Sequence, residues 1–183
     1  MKKHSESKKM PDFEFGLYDS GRKTADMAVE AVGNDPERFA LLVDMSFSKP
    51  YPLCMRAARV VQLCCEKNIS LIMPWLDEVI VKICNSQVEG VKRNFLKIID
   101  EFVDFELIKD NALLLQNCFD WLINPAEALG TRYYCIGIIE KFCRYEPELL
   151  GEFLNSLEFC LDEASAGFRN RAIKVLKKHK KSL

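Results

Sequence analysis

Between residues 36 and 180, apolar residues recur at steps of three and four, the spacing that puts them on one side of an α-helix. The blocks themselves repeat. Four of them set an arginine near the start of an apolar run: Cys54-Met-Arg56-Ala-Ala-Arg-Val-Val, Val91-Lys-Arg93-Asn-Phe-Leu-Lys-Ile, Gly130-Thr-Arg132-Tyr-Tyr-Cys-Ile-Gly and Arg169-Asn-Arg171-Ala-Ile-Lys-Val-Leu. Successive arginines stand 37, 39 and 39 residues apart. Seventeen residues before each arginine come Phe39, Leu76, Leu115 and Leu154; fourteen before, Leu42, Val79, Cys118 and Leu157; ten before, Ser46, Ile83, Leu122 and Leu161. Only Ser46 among these is polar. Two residues after the arginines stand Ala58, Phe95, Tyr134 and Ile173, which open a second apolar stripe.

Each unit therefore reads as helix A, a short turn and helix B. The pattern predicts A helices over 36–47, 74–85, 107–123 and 148–162, and B helices over 53–67, 89–103, 127–144 and 167–180. Helix breakers fall between them, at Pro50 and Pro52, Ser86 to Gly90, Asn124-Pro125 and Ala164 to Gly167. Thr24 to Val32 predicts a leading helix that caps the first pair, stopped by Gly33-Asn34. One helical pair cannot bury two apolar faces, whereas stacked pairs share a continuous core. The expected fold is all-α: a right-handed α–α superhelix of about four helical pairs plus an N-terminal capping helix. Residues 1–20 are expected to be a flexible segment and 21–183 a single domain. Within that segment Phe13, Phe15, Leu17 and Tyr18 could dock onto the body.

Charge adds an asymmetry. The net charge is −1, yet residues 168–183 hold seven Lys and Arg without an acid, and residues 1–10 hold Lys2, Lys3, Lys8 and Lys9 against Glu6. Without both stretches the body keeps 15 basic and 26 acidic residues. A body of that sign repels phosphate backbones, which leaves the basic ends as the nucleic-acid-binding candidates. The eight cysteines all sit inside apolar blocks, with no CxxC, and the two histidines, His4 and His179, are far from them in sequence. That spacing suits reduced core residues and offers no metal site. No apolar h-region follows the N-terminal charges and no uncharged run reaches membrane-spanning length, so a cytoplasmic location is expected.

Leu71-Ile-Met-Pro74-Trp-Leu-Asp-Glu-Val-Ile and Ala166-Gly-Phe-Arg-Asn-Arg171-Ala-Ile-Lys-Val-Leu resemble the first and second helices of HEAT repeats. The resemblance covers about residues 36–180 and implies an interaction scaffold with its B helices along a groove. HEAT units usually place an aspartate six residues before the arginine. Here those positions are Pro50, Gln87, Ala126 and Ser165, leaving Asp44 and Asp120 as candidate partners. Cys118-Phe-Asp-Trp-Leu-Ile123 with Ala166-Gly-Phe-Arg-Asn-Arg-Ala also resembles small Bacteroidetes proteins, some described as adenylosuccinate lyases. That superfamily uses a long bundle, catalytic histidines and a Ser/Gly loop, and none is present here. The HEAT-like alkylpurine DNA glycosylases use Trp, Asp and Arg in a basic groove; Asp120, Trp121 and Arg132 supply the residue types without a family motif.

No phosphate loop, GxSxG or HExxH occurs, and the body offers no histidine base. Lys97, Asp100, Glu101 and Asp104 step along one helix as a solvated, ion-paired face. The expectation is a non-catalytic scaffold, without cofactor or metal, that binds a polypeptide through the groove. Its candidate contacts are Arg56, Arg59, Lys92, Lys97, Arg132, Tyr133, Lys141 and Arg144. Tyr133 beside Arg132 reads equally as a hot spot or an ordinary surface tyrosine. The alternative is a nucleic-acid-binding, glycosylase-like protein acting through the basic ends. Lys174 to Lys181 serves either as such a site or as a solubilising helix cap.

Overall fold

A computed structural model describes residues 16–161 and 165–180. Phe13, Phe15, the lysines before them and Lys181 lie outside the described residues. Nine α-helices and no strand appear among the described residues: α1 (Arg22–Val32), α2 (Pro36–Ser48), α3 (Leu53–Lys67), α4 (Leu76–Asn85), α5 (Glu89–Glu101), α6 (Ala112–Ile123), α7 (Leu129–Tyr145), α8 (Leu150–Phe159) and α9 (Ala166–Lys180).

Local chemistry sets their ends. Gly33 closes α1 at φ +55°, which a side chain would resist. Asp35 then caps α2, accepting from the amides of Glu37 and Arg38, with Pro36 at the first helical position. Asn111 caps α6 through Leu114 N. That cap starts the third A helix five residues later than the apolar pattern suggests, because Phe105–Leu107 forms a separate 3₁₀ turn. Similar 3₁₀ turns at Met73–Trp75 and Pro147–Leu149 precede α4 and α8, each with a proline in its first two positions, where a helical turn loses no hydrogen bond for want of its N–H.

The helices form two layers. α2, α4, α6 and α8 are the A helices; α3, α5, α7 and α9 are the B helices. Each B helix packs on its own A helix and on the next B helix, α3 on α5, α5 on α7 and α7 on α9. The leading helix α1 packs on α3. It therefore extends the B layer by one helix.

The repeated apolar positions make the core. Phe39, Leu42, Leu76, Val79, Ile83, Cys118, Leu122, Leu154 and Leu157 are all buried. Ser46, the polar exception, is buried too and returns its hydroxyl to Leu42 O at 2.7 Å. Such i−4 bonding satisfies the group without a partner from another helix. All eight cysteines are free; seven are buried and Cys84 is half-buried.

α7 is enclosed more than the other B helices, since α5, α6, α8 and α9 all pack on it. Its Gly137 has a specific job. A Cβ there would lie 2.0 Å from both Asp100 Oδ1 of α5 and Arg171 Nη2 of α9. The two side chains meet directly above that backbone, at 2.7 Å. Neighbouring helix axes are about 8–10 Å apart, so α5 and α9 stand two such spacings apart and bond only by leaning across the gap that the glycine leaves.

Gly137→Ala should therefore lower stability by about 3 kcal/mol, combining overpacking with a disturbed buried ion pair. Gly151→Ala, where nothing lies within 4 Å of the added Cβ, should raise it by about 0.5 kcal/mol through helix propensity. Urea unfolding of both variants measures the contrast.

Candidate functional site

The outward side of the B layer carries rows of charged side chains that pair sideways from helix to helix. Glu66 of α3 meets Lys97 of α5 at 2.7 Å, and Gln62 donates to the same carboxylate at 2.6 Å. Lys141 of α7 donates to the last carbonyls of α5, Asp100 O at 2.6 Å and Ile99 O at 3.3 Å. A cation suits that negative end of the helix dipole. Arg171 of α9 binds Asp100 and places its guanidinium 4.4 Å from the centre of the Tyr133 ring. Glu140 of α7 receives Lys178 at 2.6 Å, with His179 of α9 and Arg144 each at 3.4 Å. Tyr134 packs edge-on to Tyr133.

The expected contact residues are distributed across this architecture unequally. Lys97, Tyr133, Lys141 and Arg144 share the outward stripe. Arg56 and Arg59 lie at its leading edge, where they hold the segment before α1: Arg56 donates to Leu17 O and Tyr18 O, Arg59 to Ser20 O. Leu17 is buried there and Tyr18 exposed. Lys92 and Arg132 are interior, 5% and 4% exposed. Lys92 pairs with Glu127 beneath the stripe and sits 5.1 Å from the Trp121 ring centre. Arg132 donates to Leu122 O at 2.9 Å and stacks on Phe168.

Two expectations need correction, and one set of residue types does not assemble. Asp100 is not part of a solvated intrahelical face; its side chain is buried and its partner lies 71 residues away. Asp44 and Asp120 do not ladder with the repeat arginines. Ser48 donates to Asp44 and Gln116 to Asp120, while Arg56 and Arg132 bind backbone carbonyls. Nor do the glycosylase-type residues converge on one surface, because Trp121 and Arg132 are buried and Asp120 is exposed.

Sequence reasoning missed Arg93. It is exposed on α5 and makes no hydrogen bond or ion pair with the described residues. Its stem lies over Gly130, where an added Cβ would sit 2.5 Å from Arg93 Cδ. The repeat register singled the residue out, but gave no sign that this arginine alone would lack an acceptor. Candidate ligands for metal do not gather: no group of three or more His, Cys, Asp or Glu side chains suited to an ion occurs among the described residues.

Burial competes with ion pairing in the titration of this face. It raises the Asp100 carboxyl above its ordinary range against the pull of Arg171 and Lys141. It lowers Lys141 against the pull of Asp100. Burial also pushes Glu140 upward, but the hydrogen bonds and charges of Lys178, His179 and Arg144 together outweigh it, and Glu140 ends below its ordinary value. The raised Asp100 contributes stability that is complete below its unfolded-state pKa and is lost as pH rises through the folded one. The lowered Glu140 does the reverse: its contribution is present above the unfolded-state value and is lost as pH falls through the depressed folded value.

Glu140→Gln should consequently be less stable than the parent at neutral pH by about 1 kcal/mol. The gap should narrow as pH falls below the ordinary carboxylate range. Denaturant midpoints across that range test it.

No helix of the described residues is long and apolar enough to cross a membrane. Comparison with curated proteins and with solved structures yields no match. The HEAT repeat domain family matches residues 19–179, a span that takes in every helical pair. The chain belongs to the HEAT repeat domain family.

Proposed function

We propose that this protein is a non-catalytic scaffold that binds a polypeptide across the outward stripe of its B helices. HEAT repeats commonly serve as protein-interaction scaffolds and are generally non-enzymatic. The observation that supports the reading most is the lateral pairing of the stripe. Glu66–Lys97, Asp100–Arg171 and Glu140–Lys178 each fix two side chains from different helices. A partner meeting such a surface has fewer rotamers to freeze on it, which favours binding. Tyr133 and Arg144 supply an aromatic face and a charge that is 60% exposed, types enriched at protein interfaces. Arg56, Arg59, Lys97 and Lys141 border them, and Lys92 and Arg132 support the stripe from beneath. Free thiols throughout the core suit a reducing compartment, which supports a cytoplasmic location under this reading.

Nucleic acid is the second reading, because cations outnumber carboxylates along the stripe. Most of those cations already have protein acceptors, as Arg56, Arg59, Lys97, Lys141 and Arg171 do. Duplex binding gains its affinity from cations that neutralise phosphates, and cations already held by protein acceptors are poorly placed to do so. Polypeptide is favoured.

A photo-crosslinking residue at Tyr133 should capture a protein partner, whereas one at Leu113, exposed on α6 of the A layer, should not. Capture of nucleic acid at Tyr133, or equal protein capture at both positions, would overturn the reading.

A further inference from the structure

A cleft of about 570 Å³ opens beside the stripe, at the edge where each A helix turns into its B helix. Tyr51, Met55, Val88, Glu89, Arg93 and Gly130 line it. Two glycines shape it. A Cβ at Gly90 would fall 2.3 Å from Met55 Cγ, and one at Gly130 would fall 2.5 Å from Arg93 Cδ. Each glycine thus receives a long side chain from the preceding B helix, laid flat along the helix start. This packing keeps the cleft open and fixes the stem of Arg93 before any ligand arrives.

We propose that this cleft anchors a partner polypeptide through one carboxylate side chain beside a bulky apolar one. The inference rests on the interaction-scaffold reading and assigns that scaffold an anchor at its edge. Charge complementarity selects the carboxylate. Arg93 has no acceptor among the described residues, whereas the stripe cations beside it are held by Glu66, Asp100 or backbone carbonyls. A planar guanidinium on a fixed stem matches a carboxylate with two parallel hydrogen bonds. The walls select the apolar neighbour. Tyr51 is 70% exposed, and Leu129, adjacent to the lining residue Gly130, is 45% exposed. Met55 adds an adaptable thioether. Arginine and tyrosine in one concavity are the residue types that dominate binding energy at interfaces.

Glu89 narrows the choice further. It stands one turn before Arg93 on α5 and lines the same cleft, yet the two make no ion pair. A second acidic group would meet its like charge, so a single carboxylate with apolar neighbours fits and an acidic run does not.

The test is an NMR titration of the full chain with an acetylated, amidated tetrapeptide, Ala-Glu-Phe-Ala. Backbone amide shifts should centre on Gly90, Arg93 and Gly130. Gln in place of Glu, or Ala in place of Phe, should weaken binding about tenfold, and Arg93→Glu should do the same. Arg93 is exposed, so that variant is expected to fold, and its unshifted amide spectrum away from the cleft checks this. Shifts centred elsewhere, no saturable shifts, or unchanged affinity in Arg93→Glu would overturn the proposal. So would a tenfold gain in peptide affinity on replacing Phe13 and Phe15 with alanine, which would make the chain's own Phe13-Glu14-Phe15 the occupant. Capture at Tyr133 that persists undiminished in Arg93→Glu overturns the cleft alone; absence of capture in the parent protein overturns the scaffold reading beneath it.

Discussion

The ion pair between Asp100 and Arg171 is the constraint around which the B layer is arranged. In a stack of helical pairs each unit ordinarily touches only its neighbours, and stability accumulates one interface at a time. This pair skips a unit, joining α5 to α9 over the backbone of α7. A buried ion pair contributes little net stability compared with apolar residues of the same size, because desolvation offsets most of the attraction. Breaking it is another matter, since one charge would remain buried alone. Its consequence is therefore register. α9 cannot slide or rotate against α7 without leaving Asp100 unpaired, and α7 cannot carry any side chain at position 137.

The same logic accounts for the uneven charge along the chain. The last helix is strongly basic and the rest acidic, and in sequence the two look like a tail and a body. In space α9 is the fourth B helix, and its Arg171 and Lys178 neutralise Asp100 and Glu140 of the two helices before it. Both sequence readings of the basic run treated it as facing outward, toward solvent or a ligand. Part of it instead completes the packing of the repeats. Charges bound in this way add little to long-range attraction, and a partner gains from them mainly a surface that does not have to be ordered on contact.

The apolar register was the most legible feature. Phe39, Leu76 and their equivalents had one role to fill, and burying one side of an A helix against its B helix fills it at three- and four-residue steps. The rotation of each B helix relative to the next was not legible, because it depends on two neighbours far away in sequence. Arg132 illustrates this. Its place in the repeat matches Arg56 and Arg93, yet α7 is packed on every side but one, and the residue ends up against Leu122 and Phe168. Asp100 was misjudged for the same reason. Within its own helix it has charged neighbours at helical spacing, and only the fold brings Arg171 above it.

The four repeat arginines show how one periodic position comes to serve different ends. At the leading edge Arg56 binds carbonyls of the segment ahead of α1. Arg132, in the enclosed helix, caps the end of α6 through Leu122 O. Arg171, in the terminal helix, reaches back across its neighbour to Asp100. Each finds an acceptor because the fold there brings a carbonyl or carboxylate within its reach. Around Arg93 no such group is waiting: Gly130 offers only a flat backbone to lie on, and the acids nearby are held elsewhere or stand apart. A periodic residue retained by packing but lacking an acceptor has its charge free for a ligand, so the break in the repeat's symmetry, more than the repeat itself, is where recognition can be specific.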